Sequence, residues 1–256
     1  MGIVNVTADS FSDGGQFLDS RVAIEHGLRL AADGAQLVDV GGESTRPGAE
    51  PVSLDEELER VMPVVEALVR EGVAVSVDTM KPEVMSAAAR AGCAMVNDVN
   101  GFRAPGAVEA VAASEVAVCA MHMQGTPRTM QEEPRYHDVV SEVRDFLAGR
   151  AQALEAGGVA RDRIVLDPGF GFGKAFGHNV ALFAGLPQVA SIGYPVLAGV
   201  SRKRMIGDIT GRAVGDRVAA SVAAALLAVQ NGARLVRVHD VRETVDALAV
   251  LAALKP

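Results

Sequence analysis

The stretch EALVREGVAVSVDT, residues 66–79, carries the plan of the chain in one unit. Upstream of it and into it, Leu54, Leu58, Val61, Val65 and Leu68 recur at spacings of three and four, the period of an amphipathic helix. Gly72 follows and can end that helix in the left-handed conformation. VAVSV is then an uninterrupted β-rich run, and Asp78 stands at its end. A strand that reads as a continuous apolar run is buried on both faces, as in a parallel sheet covered by helices.

The same unit recurs along the chain. GIVNV, QLVDV, VAVSV, AMVNDV, VAVCAM, RIVLD, PVLAGV and LVRVH are eight such runs, and none of them shows a period of two. Helical spacing returns between them, for example at Val139, Val143, Phe146, Leu147 and Leu154. Gly34, Gly72, Gly92, Gly157 and Gly232 each follow a helical segment and precede a strand, and Ser53 with Glu56 forms a capping box. Eight strand–helix units predict an α/β fold, a (β/α)8 TIM barrel of parallel strands, with residues 1–256 as one domain. A doubly wound open sheet shows the same alternation and is the competing fold. No low-complexity linker interrupts the chain, and the longest non-periodic insert is residues 122–134.

Composition narrows the class. Lys plus Arg number 24 against 32 Asp plus Glu, a net charge of -8, which disfavours nonspecific binding to nucleic acid or to an anionic membrane. An anionic substrate must therefore meet basic residues clustered locally. Cys93 and Cys119 have neither zinc spacing nor the pattern of a disulfide framework and read as buried thiols. No apolar run reaches about 18 uncharged residues, and GIVNV follows Met1 in place of a basic leader, so a cytoplasmic protein is expected.

Polar residues stand at nearly every strand end: Asn5, Asp39, Asp78, Asn97, His122, Asp167, Ser201 and His239. One alone would read as a cap of the next helix or turn. Eight in phase would converge on the mouth where barrel enzymes place their chemistry. Burying Asp78, Asn97, Asp167 and Lys203 without partners would cost about 2–7 kcal/mol each. A carboxylate accepts two parallel N–H bonds, Asn both donates and accepts, and Lys donates to a ring carbonyl, so the set suits a pterin-like or guanine-like face.

Cations gather in SRKR, with Arg202, Lys203 and Arg204, and in RVHDV, where Arg237 and His239 share one side of a strand. Barrels often bind phosphate after strands seven and eight. Two long loops, NVTADSFSDGGQF (5–17) and GGESTRPGAEPVS (41–53), leave the same mouth and can close over a ligand as lids, with Arg46 among their polar groups. The glycine-rich DPGFGFGK (167–174) fails the Walker template, because Phe170 and Phe172 lie between its glycines and Lys174 is followed by Ala175. An acid with aromatic neighbours suits a flat ligand better than phosphate.

In this order, NVTADSFSDGG, GGESTRPGA, SVDT, NDVNG, MHMQG, DPGFGFGK, SRK and RVHDV closely resemble the dihydropteroate synthases of bacterial folate synthesis. The resemblance implies a (β/α)8 barrel, a homodimer, and magnesium as cofactor. The implied reaction condenses 6-hydroxymethyl-7,8-dihydropterin diphosphate with p-aminobenzoate, giving 7,8-dihydropteroate and diphosphate. It makes Asp78, Asn97, Asp167 and Lys203 the catalytic and pterin-binding set. Asn5, Thr45, Arg46, Arg237 and His239 fall to the diphosphate, with Asn5 also on the metal. Thr45, Arg46, Pro47, Phe172, Ser201 and Lys203 fall to p-aminobenzoate, so sulfonamides, which mimic it, should inhibit.

Three departures carry expectations. Ala8 replaces the family's usual Pro, loosening the first loop, and the chain opens at the first strand, leaving the barrel bottom less plugged. FGKAFGHN departs mildly from the usual FGKTxEHN, which gives Lys174–Gly177 less weight. The alternatives are a methyltetrahydrofolate-dependent methyltransferase, which needs no diphosphate site, and a non-catalytic pterin-binding paralogue.

Overall fold

A computed structural model describes residues 1–6, 15–44 and 48–254, with the side chains of 15–19 not described. The described residues form eight parallel strands. They are β1 (Gly2–Asn5), β2 (Val38–Gly41), β3 (Val75–Asp78), β4 (Met95–Asp98), β5 (Ala117–Met121), β6 (Ile164–Asp167), β7 (Leu197–Ala198) and β8 (Leu235–Val236). Six of them, β1 to β6, pair in sequence order, and β7 pairs with β8. Two isolated bridges join these sheets into a ring. Leu166 pairs with Val196, with its N–H on Pro195 O at 2.9 Å, and Gly2 pairs with Val238, with the Ile3 N–H on Val238 O at 3.2 Å. The sheet is therefore a closed (β/α)8 barrel, and the doubly wound alternative falls.

Helices α1 (Gly15–Ala32), α2 (Leu54–Arg70), α3 (Pro82–Arg90), α4 (Ala107–Ala112), α5 (Val139–Ala156), α6 (Phe176–Ala184), α7 (Leu186–Ala190), α8 (Arg204–Thr210), α9 (Val218–Gln230) and α10 (Val241–Leu254) fill the intervals. The first long loop is shorter than read from sequence, since α1 already begins at Gly15. At the start of α2, the Ser53 hydroxyl accepts from Glu56 N at 3.2 Å. The capping box is only half made, because the Glu56 carboxylate pairs with Arg60 one turn on.

Both strand faces are buried, but they belong to different cores. Val38, Val40, Val75, Val77, Val96, Val118, Ile164 and Leu166 join the helices in one continuous cluster. Met95, Cys119, Val165 and Leu197 form a second cluster inside the barrel, with Met1, Leu37, Ala117 and Leu235 packed against it. A period of two is thus present after all. Hydropathy does not register it because an inward Cys and an outward Val are equally apolar. Cys93 and Cys119 are buried free thiols, as expected.

Gly34, Gly72, Gly92 and Gly232 have the positive φ expected after a helix, whereas at the end of α5 Gly158, not Gly157, takes that role with φ +96°. Gly157 has an ordinary φ of -81° and is needed for space, since a Cβ there would lie 2.2 Å from Val108 Cγ1. Gly157→Ala should accordingly lose about 1–3 kcal/mol through overpacking. Gly158→Ala should lose about 1–2 kcal/mol through left-handed strain alone. Restoration of Gly157→Ala by Val108→Ala in chemical denaturation checks the packing origin, and no restoration would refute it.

Candidate active site

Strand phase decides what reaches the mouth. Register aligns Asn5 with Gly41, Gly41 with Asp78, and Asp78 with Asn97, so the last inward positions of β2, β3 and β4 form one layer above the apolar interior. Asp167 ends β6, and Arg237 follows β8. Across this layer the Arg237 guanidinium donates from Nε to Asp39 Oδ2 at 2.6 Å and from Nη2 to Asp78 Oδ2 at 3.2 Å. Asn97 Nδ2 reaches the same Asp39 oxygen at 3.4 Å. Arg237 is therefore fixed by two carboxylates on strands far from it in sequence.

The buried groups are incompletely satisfied. Among the described residues Asp39 Oδ1, Asn97 Oδ1 and Ser76 Oγ in the barrel have no hydrogen-bond partner. Orphaned buried acceptors cost about 1–3 kcal/mol each unless a donor arrives, so the layer is built to receive N–H groups. Burial pushes the Asp78 carboxyl up to about 7, with the Asp39 charge adding to it and Arg237 opposing. Burial works against the Arg237 guanidinium too, but Asp39 and Asp78 outweigh it and hold it above its ordinary value.

On the far side, Asp167 Oδ1 accepts from Gly169 N at 2.7 Å, and burial raises its carboxyl against the pull of Lys203. Lys203 Nζ donates to Phe170 O and lies 4.8 Å from the centroid of the Phe172 ring. Burial lowers its ammonium to about 8, while Asp167 opposes that. Val99, Met121, Met123 and Met130 form an apolar platform beside these groups, with Met80 and Phe172 packed on it. A polarizable methionine surface suits a flat ring.

Ser201 and His239 meet at the rim, where Ser201 Oγ lies 3.0 Å from His239 Nδ1 and accepts the His239 N–H at 3.2 Å. Partial desolvation, then Arg237 and Arg202, lower the His239 imidazole to about 4. Asn5 ends β1 with its side chain exposed. Arg202 is not a free surface cation: it pairs with Asp240 and sits at φ +56°, its N–H held by Ser221 Oγ at 2.9 Å. Thr45, Arg46, Pro47 and Ala8 lie outside the described residues.

The eight strand-end polar residues are not all in phase. His122 points away from the mouth, its ring edge-on to Phe146 of α5 at 4.8 Å between centroids. The inward residue there is Met121, one position earlier. The sequence gives Asp39 no more weight than the other polar strand-end residues, yet it anchors Arg237. Its phase with Leu37 was the available signal.

A sequence profile described as "Pterin binding enzyme" matches residues 1–239. The chain belongs to the pterin-binding enzymes. Within them, the dihydropteroate synthase of Escherichia coli K12 is 48% identical over 254 residues, covering 99% of this chain and 90% of the relative. A solved Xanthomonas albilineans dihydropteroate synthase with 4-aminobenzoic acid superposes with a TM-score of 0.94 at 56% identity, over 100% of this chain and 92% of that one. The Burkholderia cenocepacia dihydropteroate synthase complexed with 7,8-dihydropteroate gives 0.90 at 55% identity, over 100% and 90%. The fold of these solved synthases thus extends across the whole described chain. Among the described residues no helix is long and apolar enough to cross a membrane.

Proposed function

We propose that this chain is a cytoplasmic dihydropteroate synthase in which one barrel domain joins 6-hydroxymethyl-7,8-dihydropterin diphosphate to p-aminobenzoate. The observation that carries the reading is the cluster of buried Asp39, Asn97 and Asp167 with partly exposed Asp78 and Lys203, in which, among the described residues, Asp39 Oδ1 and Asn97 Oδ1 have no partner beside the cation Arg237. A pterin edge supplies N–H donors to those acceptors and a carbonyl to Lys203. Arg237, His239 and Asn5 would meet the diphosphate, with Thr45 and Arg46. Phe172, Ser201, Pro47 and Lys203 would frame p-aminobenzoate.

The reaction breaks the carbon–oxygen bond to diphosphate, with the electron pair leaving on oxygen, and closes a carbon–nitrogen bond from the amine, which gives up one proton. Arg237 would stabilise the departing charge, and the pocket would hold the amine near the methylene. None of these side chains is an evident nucleophile, and the electron-rich pterin can carry positive charge. The path is therefore read as dissociative, with diphosphate leaving before the amine attacks. Detection of a covalent enzyme adduct during turnover would refute it.

Magnesium fits the donor set in one way. Among the described residues no three His, Cys, Asp or Glu side chains gather as a protein-only cation site. Asn5 offers a single neutral oxygen, and Mg²⁺ commonly keeps waters and binds through substrate phosphates. Asn5 and the diphosphate would hold it, and when bound it would neutralise developing charge. A homodimer is supported by exposed apolar side chains on adjoining helices: Phe176 and Val180 on α6, Ile209 on α8 and Leu227 on α9.

Diphosphate release measured with magnesium, with and without p-aminobenzoate, tests the function. Release that requires p-aminobenzoate and yields dihydropteroate is expected, and a sulfonamide well above the p-aminobenzoate KM should suppress it. Pterin binding without release would make the chain a binding paralogue. Methyl transfer from methyltetrahydrofolate would establish the methyltransferase.

A further inference from the structure

Lys174 is a buried lysine that the proposed chemistry does not use. It is 3% exposed, and its Nζ lies 2.8 Å from Gly169 O, 2.9 Å from Phe172 O and 2.9 Å from His122 Nδ1. An ammonium has three N–H donors, so these acceptors saturate it and none is left for a substrate anion. The bond to Nδ1 requires a neutral His122 protonated on Nε2. Burial, then the Lys174 charge, keep that ring neutral by lowering it to about 3. Burial also lowers Lys174 itself to about 7, against the pull of Asp167.

The loop that Lys174 closes has no helix or sheet to satisfy its backbone, and side chains take over that task. Six consecutive carbonyls, residues 169–174, each accept from a side chain. Gly169 O and Phe172 O take Lys174, Phe170 O takes Lys203, Gly171 O takes Gln131, Gly173 O takes Tyr136 at 2.8 Å, and Lys174 O takes Asn179 at 3.0 Å. Lys174 alone bonds two of them and ties the loop to itself. Gly169 permits the close approach: at φ +67° an added Cβ would lie 2.0 Å from His122 O. The loop is consequently pressed against the end of β5, and Phe172 is carried to Lys203.

We infer that Lys174 is a positioning residue: it locks residues 169–173 in the one conformation that sets Phe172 as a fixed wall beside Lys203 on the p-aminobenzoate side of the site. The inference rests on the reading of Phe172 given above. It assigns Lys174 to the orientation of the second substrate; of the proposed pterin contacts, Asp78 and Asn97 stand apart on β3 and β4, whereas Asp167 and Lys203 border the loop through Gly169 N and Phe170 O.

Lys174→Met keeps an apolar stem and removes all three donors. Its KM for p-aminobenzoate should rise about tenfold or more, the effect of losing a charge-assisted bond. The KM for the dihydropterin diphosphate should rise clearly less, by about threefold at most, since Asp78 and Asn97 are untouched and only Asp167 and Lys203 border the loop. Hydrogen exchange at the amides of Gly171 and Phe172 should quicken while that of β2 to β4 does not change. Tyr136→Phe removes only the donor to Gly173 O and should move the p-aminobenzoate KM the same way by about threefold, which decides the matter if Lys174→Met fails to fold. Parallel rises in both KM values, or an unmoved p-aminobenzoate KM, would overturn the inference. A wild-type protein that makes no dihydropteroate would instead overturn the proposed function, and loop exchange unchanged in Lys174→Met would still overturn the role of Lys174.

Discussion

Lys203→Ala lowers p-aminobenzoate-dependent diphosphate release by about a hundred- to a thousandfold, the usual loss when one preorganised donor is taken from a buried site. The reason lies in how the side chain is held. Its ammonium reaches Phe170 O, sits over the Phe172 ring and faces the Asp167 carboxylate, so it touches both halves of the proposed site at once. Its donors cannot be replaced by water without reopening that corner. Removal leaves Phe170 O unpaired and lets Asp167 rise further toward protonation, because burial already raises that carboxyl and Lys203 is the largest of the charges opposing it, ahead of Lys174 and Arg237. Folding should lose only about 1–3 kcal/mol. Rate and melting temperature measured on the same preparation separate the two effects. Activity close to wild type in a folded Lys203→Ala protein would remove Lys203 from the chemistry.

The second large effect is on stability. Arg237→Leu leaves Asp39, fully buried, beside Asp78 with no cation between them. Breaking a buried pair from one side costs about 3–5 kcal/mol, because the remaining charge stays desolvated. The loss depends on pH with a definite sign. A carboxyl whose folded value lies above its unfolded value binds more protons folded than unfolded, so its stability contribution falls as pH rises between the two. Asp78 is already pushed up to about 7 from 3.8 with Arg237 opposing, and without Arg237 it rises further. The deficit of Arg237→Leu should therefore be largest near pH 8 and shrink toward pH 5, where Asp78 is protonated in the fold. Adding Asp39→Asn should recover part of the loss at pH 8. Denaturant midpoints at the two pH values provide the check. Equal deficits at both, with no recovery in the double variant, would show that Arg237 is not a neutralising bridge.

Much of this molecule is written locally. The eight strand runs, the helical spacing between them and the glycines after the helices all depend on residues within one unit, and eight such units leave few architectures. The polar strand ends were legible for the same reason: Asp78 and Asn97 pair across β3 and β4, and Arg237 reaches Asp78. The eight motifs in order also identified the family.

What sequence could not show is which way each buried side chain faces and what it meets. Met121 and His122 are adjacent and both buried, yet the pleat sends one to the mouth and the other to Phe146 of α5. Hydropathy treats the interior and the helix layer as the same solvent, so the alternation of β2 to β6 stays hidden until the barrel closes. The Asp39–Arg237 pair spans 198 residues of chain and exists only because β8 comes back to β1. The departure at FGKAFGHN gives Lys174, with the residues through Gly177, little weight in the sequence. Only the folded loop, with carbonyls converging on one buried ammonium, gives it a role. Local pattern thus fixed the elements and their number, and closure of the ring decided which charges would neutralise one another, because electrostatic pairing in a buried layer acts through space and not along the chain.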